Sequence, residues 1–319
     1  MKKLICVVGA GYWGMNHIRT LESLGFLGGV VESNKNRLEE IKENFPNISV
    51  FNSLQSSLSS NQFSAFVVAT PAETHYDIAS KIIDQKFHVL VEKPLSLSVE
   101  HAQDLLEKSK ASRVNLMVGH VLLFHPAIIK IKELIMDGRL GNIQYIYSNR
   151  LNLGQVRTHE NVFWSLAPHD ISIFQYFMEE YPAKIKTHGS DILQKGIQDS
   201  TITVIEYLNN VKSHIFVSWL HPFKEHRLVV VGSEAMVSYE DSNDDKQLKL
   251  YQKKFEINDN ISKKIDGPVK NISYENQLPL TEELKYFIDH LDGKKLEKCN
   301  ADHALEVTRI LVDASRQLI

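Results

Sequence analysis

Short runs of aliphatic residues recur through the first 120 positions, at Leu4–Val8, Gly29–Val31, Ala65–Val68, Val89–Val91 and Asn115–Val118. Amphipathic stretches such as Asn34–Asn44 and Ala72–Gln85 separate them. Runs this short, apolar without alternation, read as strands buried on both faces, and the segments between them as covering helices. That alternation leaves an α/β fold with a parallel sheet as the expectation. In such a sheet ligands bind beyond the carboxyl ends of the strands.

The rest of the chain reads differently. A helix is expected over His125–Met136, with Ile128, Ile131, Leu134 and Ile135 on one face and a stop at Asp137-Gly138. Ile143–Arg150 alternates like a half-exposed strand. Thr201–Leu208 and Val211–Trp219 flank Asn209-Asn210, and Arg227–Val231 and Ala235–Tyr239 flank Gly232-Ser233, which predicts hairpins and an antiparallel sheet. The polar, lysine-rich stretch from Asp241 to Asn276 reads as a solvated hairpin tip and loop. Thr281–Leu291 has helical spacing, and Asn300 is the expected cap of a last helix. At 319 residues the chain exceeds one ordinary core, so two domains are expected, 1–121 and 122–319, the final helices free to pack back on the first.

Composition excludes several classes. A net charge of −3 gives no reason to expect nucleic acid or an anionic membrane as partner. No stretch approaches the roughly 18 apolar residues of a membrane span. The apolar run at the amino terminus is short and leads directly into glycine, so it reads as a strand rather than a signal peptide. Cys6 and Cys299 make neither a disulfide framework nor a metal cluster, and a reducing cytoplasm is the expected location.

Gly9-Ala10-Gly11-Tyr12-Trp13-Gly14 follows the first strand and opens a helix, and Glu32 ends the second strand 18 residues beyond Gly14. Gly9 permits the tight turn, Gly11 lets the backbone approach a pyrophosphate, and Gly14 lets helix and strand pack closely. The helix N-terminus supplies free N–H groups for the phosphates. Glu32 would accept hydrogen bonds from ribose hydroxyls and repel a 2′-phosphate, which favours NAD over NADP. Of Tyr12 and Trp13, one is expected to cover the cofactor and the other to pack beneath it. Thr70 and Pro71 end the third strand at the same edge and could line the cofactor. His75 either touches it or packs on the loop at a helix start.

Val89-Leu90-Val91-Glu92-Lys93-Pro94 is an apolar strand ending on a charged pair held by proline. Burying such a pair costs several kcal/mol unless it is paired or used, so Lys93 is a candidate for chemistry. Glu92 pairs with a backbone or cofactor group, or faces away. His120 ends the last of the five strands, where contact with sugar or ribose and simple packing are equally open.

The glycine fingerprint, Ala69-Thr70-Pro71 with His75, Glu92-Lys93-Pro94, Gly119-His120, Phe124-His125-Pro126 and Val231-Gly232-Ser233-Glu234-Ala235 together resemble the Gfo/Idh/MocA oxidoreductases. The resemblance implies an N-terminal Rossmann dinucleotide-binding domain and a C-terminal α/β domain whose open, largely antiparallel sheet often mediates homodimer or homotetramer formation. It also implies a Lys93-Pro94 bond that is commonly cis. Arg150–Gly154 and Asn161–Ile171, with Pro168-His169-Asp170, look like the branch that oxidises the 3-hydroxyl of UDP-N-acetylglucosamine, or of its uronic acid, to a 3-keto sugar. An aminotransferase would then act on that product for lipid A or surface polysaccharide. Related inositol dehydrogenases and keto-sugar reductases share the His-Asp signature.

By that resemblance His169 faces the nicotinamide and is a candidate base, Lys93 polarising the same oxygen; the converse, with Lys93 as base, stays open. Asp170 follows His169 on a helix and points elsewhere, as a substrate or lysine partner. Arg157 and Asn161 lie in a polar loop where a diphosphate would need donors, a solvated loop arginine being equally open. A non-catalytic NAD-binding sensor would be expected to lack Lys93 or His169, and the chain has both.

Overall fold

The computed structural model describes residues 3–258 and 261–318. The chain divides into two units, one of residues up to Phe124 with Gln277–Arg309, the other of His125–Asn276 with the residues from Ile310 on.

In the first unit β1 (Ile5–Val8), β2 (Leu27–Val31), β3 (Ser49–Phe51), β4 (Ala65–Val68), β5 (His88–Glu92) and β6 (Leu116–Gly119) form one parallel sheet, ordered β3-β2-β1-β4-β5-β6. Between the strands run α1 (Tyr12–Leu24), α2 (Lys35–Asn44), α3 (Leu54–Leu58), α4 (His75–Asp84) and α5 (Val99–Ser112). β1, β2, β4 and β6 are buried along their whole length, which is why their sequences carry no polar alternation. Chain order reverses at β1, so the carboxyl ends of β1 and β4 flank the crevice where such sheets bind ligands.

The second unit opens with α6 (Pro126–Met136), whose first turn is capped by His125 Nδ1 accepting from Ala127 N at 3.2 Å. Gly138, with φ +69°, follows its end. Then come β7 (Ile143–Leu153), α7 (Val162–Met178), β8 (Lys184–Ser190), β9 (Ser200–Glu206), β10 (Lys212–Ser218), β11 (Leu220–Gly232), β12 (Met236–Glu240), β13 (Leu248–Asn258) and β14 (Ile261–Asn271). They build one sheet ordered β14-β13-β12-β11-β7-β10-β9-β8, with α7 against β7, β9 and β10. The chain closes with α8 (Pro279–Asp289) and α9 (Ala301–Ser315), whose first turn is capped by Asn300 Oδ1 accepting from His303 N at 3.0 Å. No helix among the described residues is long and apolar enough to cross a membrane.

The sheet is mostly antiparallel but mixed: β10 runs parallel to β7. A parallel neighbour needs a crossover, and the chain through α7, β8 and β9 provides one. The stretch after Asp241, expected as a solvated hairpin tip and loop, forms two full strands, β13 and β14, paired antiparallel. Its alternation is real, since Leu248 and Leu250 are buried while lysines line the edge strand, as a solvated sheet edge requires. β3 and β8 have no apolar run to betray them; β8 is Lys-Ile-Lys-Thr-His-Gly-Ser and mostly exposed.

Candidate functional site

The turn after β1 depends on its glycines. Gly9 takes φ +93°, and a Cβ on Gly14 would lie 2.0 Å from the Gly9 carbonyl oxygen, so α1 can start this close to the strand only without one. A Cβ on Gly11 would meet nothing within 4 Å. Gly11 caps α1 with no side-chain hydrogen bond, which leaves the first-turn N–H groups for an outside acceptor. Glu32 Oε2 accepts from Ala10 N at 2.9 Å and Oε1 from Asn34 N at 2.8 Å. A carboxylate held this way keeps lone pairs for a diol. Open space above Gly11, free N–H groups and a fixed carboxylate fit a dinucleotide.

Tyr12 and Trp13 differ from expectation. Both side chains are exposed, edge to face with each other at 6.2 Å, so neither packs beneath the turn. Thr70 Oγ1 accepts from Thr74 Oγ1 at 2.7 Å, and Pro71 starts the next helical turn. His75 is buried, with Nδ1 2.8 Å from the Pro94 carbonyl and Nε2 2.8 Å from the Thr70 carbonyl. Each nitrogen faces a backbone carbonyl, and a neutral imidazole donates to one of the two. His75 ties the loop after β4 to the Lys-Pro turn.

At the end of β5 the Lys93-Pro94 bond is cis. Glu92 does not face away: Oε1 lies 2.6 Å from His17 Nε2, and Oε2 accepts from Lys93 N at 3.2 Å. Burial opposes the charge on Glu92, but the His17 hydrogen bond, with the His17 and Lys93 charges, outweighs it and holds this carboxyl below its ordinary range. Gly119, its partner on β6, leaves the room, because a Cβ there would come within 3.1–3.3 Å of the Glu92 carboxylate. His120 is buried and edge to face with His303 at 5.4 Å. Neither of its ring nitrogens meets a hydrogen-bond partner among the described residues. Burial, then the His303 and Lys93 charges, push it well below the usual imidazole value, so it is neutral.

Glu283 on α8 is a fully buried carboxyl in this unit, with neither oxygen hydrogen-bonded among the described residues. Burial and then the Glu92 charge raise its pKa well above the carboxylate range, with Lys298 pulling weakly the other way. The folded protein therefore keeps this proton to higher pH than the unfolded chain does, and stability falls as pH rises through the ordinary carboxyl range. Glu283→Gln removes the ionisation. It should melt with wild type near about pH 4 and several degrees higher at about pH 8. Thermal melts across pH check this; a constant offset between the two proteins would refute it.

In the second unit α7 carries the other candidates. Asn161 is its cap rather than a free donor: Oδ1 accepts from Trp164 N at 3.1 Å and Nδ2 donates to Gln198 Oε1 at 3.0 Å. Arg157 is exposed, with Glu160 3.9 Å away. His169 is half-buried, and its carbonyl accepts from Ser172 Oγ at 2.7 Å. Asp170 is buried and, contrary to expectation, its oxygens are taken by arginine and serine. Oδ2 accepts from Arg150 Nε at 2.9 Å, and Oδ1 accepts from Arg150 Nη2 at 3.0 Å and Ser148 Oγ at 2.6 Å.

The first unit thus holds Gly9, Gly11, Gly14, Glu32, Thr70, Pro71, Glu92, Lys93 and His120 at or near strand carboxyl ends, and the second holds Arg157, Asn161, His169 and Asp170 on or before α7. Sequence reasoning missed His17, Ser148, Glu283 and His303. His17 is three residues beyond Gly14, on the helix face that turns toward the sheet, and that spacing was the one available signal.

Residues 3–120 match the family described as "Oxidoreductase family, NAD-binding Rossmann fold", and residues 128–238 match "GFO/IDH/MocA C-terminal domain". The UDP-N-acetylglucosamine 3-dehydrogenase of Acidithiobacillus ferrooxidans is 26% identical over 184 residues, 57% of this chain and 56% of that protein. Its solved structure superposes with a TM-score of 0.87 at 19% identity, covering 98% of this chain and 96% of that one. The scyllo-inositol 2-dehydrogenase (NAD(+)) of Bacillus subtilis is 27% identical over 184 residues, 54% of each chain. The WlbA dehydrogenase of Bordetella pertussis, solved with NADH and UDP-GlcNAcA, superposes with a TM-score of 0.80 at 17% identity over 99% of this chain and 96% of that one. The sequence matches span a little over half the length of the two curated relatives named here.

Proposed function

The chain belongs to the Gfo/Idh/MocA oxidoreductase family, with an NAD-binding Rossmann domain, and from that premise we propose that it oxidises the 3-hydroxyl of a UDP-sugar, UDP-N-acetylglucosamine, to the 3-keto sugar. When bound, NAD supplies the hydride acceptor, which no side chain can provide. Gly9, Gly11 and Gly14 hold its pyrophosphate on α1, Glu32 its adenosine ribose, and Thr70 and Pro71 its flank.

Lys93 donates a hydrogen bond to the sugar oxygen and stabilises the developing alkoxide. Glu92, fixed by His17 and Gly119, sets the base of that lysine. His169 accepts the hydroxyl proton, an imidazole being suited to proton transfer near neutral pH. His120, with both buried nitrogens unpartnered among the described residues, contacts a sugar or ribose hydroxyl. Arg157 meets the diphosphate.

The observation that carries the choice of sugar is the state of Arg150. Two of its nitrogens are already committed to Asp170, so its fork is not available to a C6 carboxylate. That supports a neutral sugar over its uronate. The half-exposed outer face of the eight-stranded sheet, with Tyr145, Tyr147, Val229 and Met236, suits pairing with a second copy as a homodimer or homotetramer. A 3-keto product is the natural substrate of an aminotransferase.

The test is a panel of UDP-sugars and free inositols with NAD, followed by cofactor absorbance and product mass. Loss of two hydrogens from UDP-N-acetylglucosamine supports the reading; turnover of inositol with indifference to UDP-sugars overturns it. Cofactor choice has its own test. Glu32→Ser should lower the NAD-to-NADP ratio of kcat/KM by roughly tenfold or more, about 1.4 kcal/mol, since the carboxylate both binds ribose and repels phosphate. An unchanged ratio would mean that Glu32 only braces the turn.

A further inference from the structure

We propose that Arg150 and Ser148 are positioning residues for His169, acting as a clamp on Asp170 that fixes the turn of α7 from which His169 projects. This deepens the reading of His169 given above and rests on it. Three observations converge. First, Asp170 is held from both oxygens by three donors on β7, the strand beneath α7, at 2.6–3.0 Å. The Arg150 contact is two-pronged, which fixes orientation as well as distance.

Second, the clamp is buried: the Arg150 side chain is 13% exposed and that of Asp170 2%. Third, Pro168 lies inside α7. It has no N–H, so the helical ladder lacks the bond to the carbonyl four residues earlier, and the proline ring crowds that carbonyl. The backbone is therefore least self-supporting immediately before His169. The residue immediately after it is the one tied down to β7. Asp170 and His169 point in different directions from the helix, so a carboxylate anchored on the sheet leaves the imidazole directed away from that anchor.

A base must stand within hydrogen-bond reach of its proton, and a displacement of about 1 Å can cost about 100-fold in rate. Arg150→Met, Asp170→Asn and the double variant should each lower kcat by about that factor, with KM for the sugar and Kd for NAD within about threefold of wild type. Because the pair acts as one unit, the double variant should be no slower than the slower single one. Arg150→Lys, which keeps the charge and loses the fork, should not restore the rate. Ser148→Ala removes one hydrogen bond and should fold; it should show a smaller loss in kcat alone.

Hydrogen–deuterium exchange gives a readout independent of activity. Amides of residues 164–173 should exchange faster in Arg150→Met, while the first unit is unchanged. Wild-type kcat in Arg150→Met, additive losses in the double variant, a loss falling only on sugar KM, or unchanged exchange over α7 would each overturn the clamp. His169→Ala separates the two claims. Full activity there removes the parent reading, whereas an inactive His169→Ala beside a fully active Arg150→Met removes the clamp alone.

Discussion

Lys93→Met should lose about 100- to 1000-fold or more in kcat while binding NAD with unchanged Kd. Methionine keeps most of the length and apolar stem of lysine but has no donor for the sugar oxygen. The change removes the Lys93 charge that helps keep Glu92 ionised, but leaves two contacts of that carboxylate in place: His17 at 2.6 Å, and the Lys93 backbone N–H on Oε2. A drop in melting temperature large enough to explain the loss would therefore count against the catalytic reading. The pH profile then decides between the two roles left open by the sequence. If Lys93 polarises and His169 is the base, the acid limb of kcat/KM survives in Lys93→Met at reduced height and disappears in His169→Ala. If Lys93 is the base, the reverse holds. Wild-type turnover in Lys93→Met would sink both.

The sequence carried the parallel sheet and the cofactor turn because each rests on local rules. Uniformly apolar runs mean strands buried on both faces, and Gly9 and Gly14 each answer a short-range demand of backbone geometry. What escaped depends on long-range pairing. β13 and β14 are polar because they form a solvated edge, so their signal was alternation rather than hydrophobicity. Asn161 and Asp170 carried the right residue types for ligand contact, yet one caps its own helix and the other is taken by a strand about twenty residues earlier. His75 shows the same limit: its motif was legible, but its two carbonyl partners sit on loops that only the fold brings together. Glu283 was hidden altogether, since a glutamate in an amphipathic helix reads as solvated until its burial is known.

Gly14→Ala and Gly11→Ala, three positions apart in one turn, should fail in different ways. The added methyl at Gly14 would lie 2.0 Å from the Gly9 carbonyl oxygen and 2.9 Å from its carbon, both backbone atoms that cannot rotate away. Relief requires α1 to back off from the turn, and His17, three residues on, would move with it and release Glu92. Overpacking of this kind costs roughly 1–3 kcal/mol, occasionally more. The variant should therefore melt several degrees lower, with NAD binding reduced by about 100-fold, as the N–H groups lose their aim. At Gly11 the methyl meets nothing within 4 Å, and φ −69° is open to alanine. Gly11→Ala should therefore melt with wild type and still bind NAD poorly, because the space it fills is where the proposed function lays the pyrophosphate. Melting curves and NAD titrations on the two proteins separate a methyl that breaks the scaffold from one that only displaces the ligand. Wild-type NAD affinity in Gly11→Ala would mean that the pyrophosphate does not cross this turn, and the assignment of Lys93, which depends on a nicotinamide delivered from here, would lose its footing.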